Sequence, residues 1–170
     1  MTIKLIGAIF VVVGCTGFGY LVASNINQEC NSLRQLMTAL DYILCEISYR
    51  RTPLPELFRL TSTVCSGDLC RLFLTIANEL ERQALQNANK CILTALNKHP
   101  GVPKYTAHCI TLLGQTIGMF NLSGQIKSIE SVKVEADRLL ALCNENLSSK
   151  SRCYKTLGIS AGAALAIIFV

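Results

Sequence analysis

The sequence predicts an all-α protein, an antiparallel helical bundle flanked by N-terminal and C-terminal transmembrane helices. Three observations predict it. Apolar residues recur at three- and four-residue spacing between breakers. No stretch alternates with period two for long enough to make a strand. The two ends of the chain are almost free of charge.

The chain has 170 residues, enough for one domain, and its 51% hydrophobic content is concentrated at its ends. Residues 1–28 read as an N-terminal anchor. Lys4 is followed by no charge until Glu29, and Leu5 to Ala23 carries hydroxyls only at Thr16 and Tyr20. A helix of that length, at about 1.5 Å per residue, spans a hydrocarbon layer roughly 30 Å thick. Two rival readings compete with it. A cleaved signal peptide needs small residues at both −3 and −1, and Leu21-Val22-Ala23 supplies one. A lipoprotein site would use Val12-Val13-Gly14-Cys15, but the apolar run continues well past Cys15.

Residues 29–153 read as a cytoplasmic bundle. Leu33, Leu36, Met37, Leu40, Ile43, Leu44 and Ile47 mark the buried face of a helix that ends near Tyr49 and closes on Arg50 and Arg51. Thr52-Pro53-Leu54-Pro55-Glu56 reads as a turn opening the next helix, with Thr52 as N-cap and Pro53 first in the helix. That helix is expected to reach Val64. Ser66-Gly67-Asp68 then breaks the chain, and Leu69, Leu72, Phe73, Ile76, Leu80 and Ala84 mark a third helix. Ala88 to Asn97 either prolongs it or starts a fourth. His99-Pro100-Gly101-Val102-Pro103 is the strongest breaker. Beyond it Tyr105, Cys109, Leu112, Leu113 and Ile117 mark a helix from Lys104 toward Gly118.

After Asn121-Leu122-Ser123-Gly124 one long helix is expected from Gly124 to Val170. Its first part is amphipathic, with Ile126, Ile129, Val132, Ala136, Leu139, Leu140, Cys143 and Leu147 on one face. Its last part, residues 154–170, reads as a C-terminal transmembrane or membrane-embedded segment, whose uncharged run from Leu157 to Val170 comes after Lys150, Arg152 and Lys155. A buried core helix is the competing reading of that short run. Small residues recur at Cys15, Gly19 and Ala23 on the first anchor and at Gly158, Gly162 and Ala166 on the second, the spacing that lets membrane helices approach closely.

The chemistry of catalysis is missing from the sequence. No G-x-x-x-x-G-K loop is present to cradle phosphate, and Gly17-Phe18-Gly19 lies inside the first apolar run. No nucleophile elbow or paired-carboxylate spacing points to a reaction, so neither an enzyme nor a cofactor is expected. The nine cysteines form no CxxC pair, and most fall where Leu or Ala would serve on a helix face, which predicts free thiols in a reducing compartment. His99 and His108 with Cys109 have no zinc-ligand spacing. The net charge of +5 is scattered and accompanied by few aromatics, which favours a domain beside anionic lipid over one that binds nucleic acid. Lys150, Arg152 and Lys155 flank the bundle side of the second apolar end, which places the bundle in the cytoplasm. Glu46, Arg50, Arg51 and Glu56 gather around the Thr52 turn as candidate interaction residues. Capping and solvated charge are the simpler account of the same four residues.

Several of these residues occur in the order of a known family. Lys4-Leu5-Ile6-Gly7-Ala8 opening an apolar run, Leu33-Arg34-Gln35-Leu36, Glu46-Ile47 and Tyr49 before Thr52-Pro53-Leu54-Pro55-Glu56 resemble the stage III sporulation protein AB family. Leu113-Gly114, Ile117-Gly118, Gln125 and the ending Tyr154-Lys155-Thr156-Leu157-Gly158 are similar to it as well. Asn121 stands where the family usually has Asp, and Ile117 replaces a Leu. The resemblance implies a fold like the inner-membrane platform protein of type II secretion and type IV pilus machines. It also implies a structural role in the complex that connects mother cell and forespore, in the mother-cell membrane. The implied partners are a separate secretion-type ATPase, other stage III sporulation membrane proteins, membrane lipid and further copies of the chain. A membrane-tethered signalling adaptor is the alternative, although a sustained heptad repeat feeding an effector segment is missing.

Overall fold

The computed structural model describes the backbone of residues 2–50, 52–82, 87–117 and 122–169, and the side chains of residues 24, 27–50, 52–82, 87–117 and 122–147. Six helices account for almost all of it, and no strand occurs among the described residues. They are α1 (Thr2–Tyr49), α2 (Leu54–Thr63), α3 (Gly67–Arg82), α4 (Ala88–Lys98), α5 (Lys104–Thr116) and α6 (Leu122–Phe169). The backbone divides into two compact units, Met1–Gln28 with Leu142–Val170, and Glu29–Ala141. The first consists of helical backbone from α1 and α6. The second holds the core.

That core follows the apolar stripes closely. Leu33, Leu36, Leu40, Ile43 and Ile47 of α1 are buried, as are Leu69, Leu72, Phe73 and Ile76 of α3. Cys109, Leu113 and Ile117 are buried after Pro103, and Ile129, Val132, Ala136 and Leu139 are buried on α6. Burying a side chain of this size contributes about 1.5 to 3 kcal/mol, so these stripes are the main stabilising feature of the bundle.

Consecutive helices run antiparallel, and the contacts show it. The rings of Phe58 on α2 and Phe73 on α3 stack at 5.9 Å across the turn that joins the two helices. Glu79 and Lys98 meet at 2.6 Å across α3 and α4, where the Cys91 thiol also donates to the Glu79 carbonyl. Gly114 of α5 lies against Ile92 and Asn89 of α4. Lys133 of α6 reaches Asp41 of α1, which ties the last helix to the first within the same unit.

The turns depart from expectation in informative ways. Pro53, not Thr52, is the N-cap of α2, and Pro55 rather than Pro53 occupies its first turn. The Thr52 hydroxyl is drawn instead to the Glu46 carboxylate at 2.9 Å. Gly67 opens α3 with φ +62°, a conformation that strains any residue with a Cβ, while Gln35 accepts hydrogen bonds from the Ser66 amide and hydroxyl. α3 and α4 are separate helices, and Asn87 caps the second by accepting from the Asn89 amide. Pro103 offers no side-chain cap to α5. Glu29 of α1 takes that place and accepts from the Tyr105 amide at 2.6 Å, with Thr106 donating to Ser32 beside it. Tyr105, expected on the buried face, is therefore exposed, and Thr106 is buried in its place. α6 begins at Leu122, two residues before Gly124.

Among the described residues no helix is long and apolar enough to cross a membrane. The transmembrane segments expected at the two ends fall on side chains outside the described residues. The cysteines also differ from expectation. Cys45, Cys65, Cys70, Cys91 and Cys109 are free, but Cys30 and Cys143 are buried and disulfide-bonded. The lack of a CxxC pair in the sequence does not exclude a disulfide.

Candidate functional site

The corner between α1 and α2 holds the described members of the expected interaction set. Glu46 is not a surface charge. At 5% exposure its carboxylate faces inward, accepting from Thr52 at 2.9 Å and from the Arg50 guanidinium at 3.2 Å, while the Arg50 amide donates to the Glu46 carbonyl. Burial, together with a hydrogen bond to the same carboxylate, raises the Tyr42 phenol above its ordinary value. A buried carboxylate is costly unless its oxygens are satisfied, and here three side chains from one helix and the following turn satisfy them. The consequence is a corner of fixed geometry.

That corner presents two groups outward. The Arg50 side chain is 73% exposed although its guanidinium is anchored on Glu46, and Tyr49 is 85% exposed. Glu56 lies exposed in the first turn of α2. Arg51 lies outside the described residues. Tyr and Arg held rigidly at a surface are the side chains that most often anchor protein interfaces, because both offer large contact area at low cost in conformational entropy. Tyr49 was legible in one respect. It lies off the stripe formed by Leu33, Leu36, Leu40, Ile43 and Ile47, which already assigns it to the outer face.

The other candidate set, Cys15, Gly19, Ala23, Gly158, Gly162 and Ala166, lies on α1 and α6, with side chains outside the described residues. Asn121 lies outside them too. Among the described residues no group of His, Cys, Asp and Glu could hold a metal ion. The histidines have other surroundings. The Thr75 hydroxyl donates to the Arg71 carbonyl and its oxygen lies 2.8 Å from His99 Nε2, which holds the imidazole against α3. His108 is exposed near the Glu135 and Arg138 pair.

The Leu113-Gly114 motif has a clear structural meaning. A Cβ on Gly114 would lie 3.1 and 3.2 Å from two carbon atoms of buried Ile92 and 3.3 Å from Asn89 Oδ1. The glycine is what lets α4 and α5 approach so closely.

Comparison with known proteins follows the same lines as this geometry. The profile of the stage III sporulation protein AB family matches residues 4–170. The chain belongs to this family. A relative described as stage III sporulation protein AB, from Bacillus subtilis (strain 168), is 24% identical over 170 residues, covering 99% of both chains. A solved structure of stage III sporulation protein AB (SpoIIIAB) superposes with a TM-score of 0.64 at 20% identity, covering 71% of this chain and 97% of that one. The all-helical fold is therefore shared with a solved family member. Membership places the chain among proteins of sporulation.

Proposed function

We propose that the chain is a non-enzymatic platform component of the membrane complex joining mother cell and forespore. Its two apolar ends hold it in the mother-cell membrane, and its helical bundle faces the cytoplasm. The observation that carries this reading is the family match along residues 4–170, which includes both apolar ends. The sequence supports it further. Leu5 to Ala23 and Leu157 to Val170 carry no charged side chain, and Lys150, Arg152 and Lys155 supply a positive inner flank. The missing phosphate-binding loop makes a separate ATPase the natural motor partner. Other stage III sporulation membrane proteins and further copies of the chain complete the assembly. The α1–α2 corner is the surface we assign to the ATPase.

The orientation rests on the positive flank and not on the thiols, since two of them are oxidised. Cys45 is the better reporter of it than Cys65. Cys45 is exposed, whereas burial and the neighbouring Cys70 push the Cys65 thiol up to about 12. In a variant whose only cysteine is Cys45, a membrane-impermeant maleimide should label lysed cells and spare intact ones. Equal labelling of both reverses the topology. The partner is tested with the full chain in detergent micelles and a purified secretion-type ATPase from the same cells. Binding is expected, with no ATP hydrolysis by the chain alone. Hydrolysis that persists in the isolated chain through repurification would overturn the non-enzymatic reading.

A further inference from the structure

We infer that the α4–α5 turn and the start of α5 rest on the membrane surface, with Tyr105 set among the lipid headgroups and Pro100 and Lys104 beside it. This rests on the membrane reading above and adds to it which part of the bundle meets lipid.

Contacts within the bundle tie the start of α5 to α1. The Glu29 carboxylate accepts from the Tyr105 amide at 2.6 Å, and Thr106 donates to Ser32. Alternate helices of an antiparallel bundle run in the same direction, so α5 runs with α1 and its first residues lie toward the N-terminal side of that helix. The turn before it, His99 to Pro103, lies at the same end. The α2–α3 turn is there as well, since a Cβ on Gly101 would come within 3.1 Å of Asp68 Oδ2 and the Ser66 amide donates to Gln35.

Distance along the chain brings this end to the bilayer. The apolar run Leu5 to Ala23 matches the hydrocarbon layer, so Ala23 marks the edge of that layer. Glu29 follows six residues later in α1, a rise of about 9 Å at roughly 1.5 Å per residue. The headgroup layer on each side is about 5 to 8 Å deep, which puts Glu29 near its outer boundary. Helical side chains lean toward the N-terminus of their helix. For α5 that direction carries the Tyr105 ring and the Lys104 stem from the level of Glu29 back toward lipid.

The chemistry of the turn suits that place. Pro100 and Lys104 are exposed, and Tyr105 is 38% exposed while Cys109, Ile110 and Leu113 of the same helix are fully buried. An aromatic ring with a polar tip and a cation on a long apolar stem are the side chains that settle at headgroup level. No Asp or Glu occurs between Glu81 and Glu130, so the turn carries no carboxylate of its own to be repelled by anionic lipid. Of the carboxylates around it, Glu29 is engaged by the Tyr105 amide, Asp68 by Arg71 and Glu79 by Lys98. Charge at this end is near balance, and it is depth and aromatic character that select lipid as the occupant. Lys104, which forms no salt bridge among the described residues, is the group left to meet lipid phosphate.

The chain contains no Trp, so a single introduced Trp reports its own depth. The full chain is reconstituted in vesicles of phosphatidylcholine and phosphatidylglycerol whose acyl chains carry bromine either just below the headgroup or near the chain end. Emission is compared with that in unbrominated vesicles. Tyr105→Trp should lose about half of its emission to the shallow bromine and less to the deep one. Phe10→Trp, within the apolar run, should be quenched most by the deep bromine. Tyr49→Trp, about 30 Å along α1 from Glu29, should keep its emission in both. Circular dichroism melts identify a variant that fails to fold, and Lys104→Trp on the same turn then replaces Tyr105→Trp with the same expectation. Unquenched Tyr105→Trp beside quenched Phe10→Trp overturns the surface contact while leaving the membrane reading intact. Unquenched Phe10→Trp overturns both. Equal shallow quenching of Tyr49→Trp and Tyr105→Trp would show that any exposed Trp reaches lipid, and it too overturns the assignment.

Discussion

Gly114 is the most exacting test of the packing described above. Replacing it with Ala in mid-helix would by itself favour the helix by about 1 kcal/mol. The new methyl, however, would meet Ile92 at 3.1 and 3.2 Å and Asn89 Oδ1 at 3.3 Å. Ile92 is fully buried, so it yields only by displacing its own packed neighbours. Overpacking of this kind costs about 1 to 3 kcal/mol, which outweighs the helix gain. Gly114→Ala should therefore destabilise the bundle by about 1 kcal/mol, a fall in Tm of roughly 2 to 4 °C for a chain of this size. Ile92→Val removes one of the two opposing carbons and should cost roughly 0.5 to 1.5 kcal/mol alone. Together the two changes should cost less than their sum by about 1 kcal/mol, because the second relieves the first. Thermal and urea unfolding of the four variants by circular dichroism gives all of these values. A Gly114→Ala protein that is more stable than the parent, with strict additivity to Ile92→Val, would refute the close approach of α4 and α5.

Glu29→Ala should cost about 1 to 2 kcal/mol and speed amide exchange at Tyr105, because α5 loses the acceptor and the charge at its N-terminus; Glu29→Gln should cost less. Equal effects from both changes would show that Glu29 does not cap the helix. Lys98 holds the Glu79 carboxyl below its ordinary 4.5, so this pair stabilises the fold fully above that value and loses its contribution as pH falls through the lower folded value. Glu79→Gln should accordingly flatten the acid limb of the stability profile, and an unchanged limb would locate the acid sensitivity elsewhere. A thiol reagent at pH 8 should modify exposed Cys45 first and leave Cys91 and Cys109 untouched until unfolding, since burial raises both thiols, Cys109 to about 11. Rapid loss of Cys109 in the folded protein, read by mass spectrometry, would contradict the packing of α5 on α6.

The helices and their buried faces were largely determined by the sequence itself. Residues three and four apart share a side of a helix whatever surrounds it, so Leu33 to Ile47, Leu69 to Ile76 and Ile129 to Leu139 declared their buried sides in one dimension. The breakers at Ser66-Gly67-Asp68 and His99 to Pro103 likewise act through local backbone preference. Only the tertiary structure decided which polar group completes which helix end. Thr52 has the chemistry of an N-cap but lies beside the Glu46 carboxylate, a stronger acceptor, and Pro53 takes the cap position. The N-terminus of α5 is closed by Glu29, which is distant in sequence and became a neighbour only when α1 packed beside it. The burial of Glu46 beneath Thr52 and Arg50 and the approach of α4 to α5 at Gly114 are of the same kind. Each depends on which helices become neighbours, and neighbourhood across a bundle is set by the sum of its packed faces, which no single stretch of the chain contains.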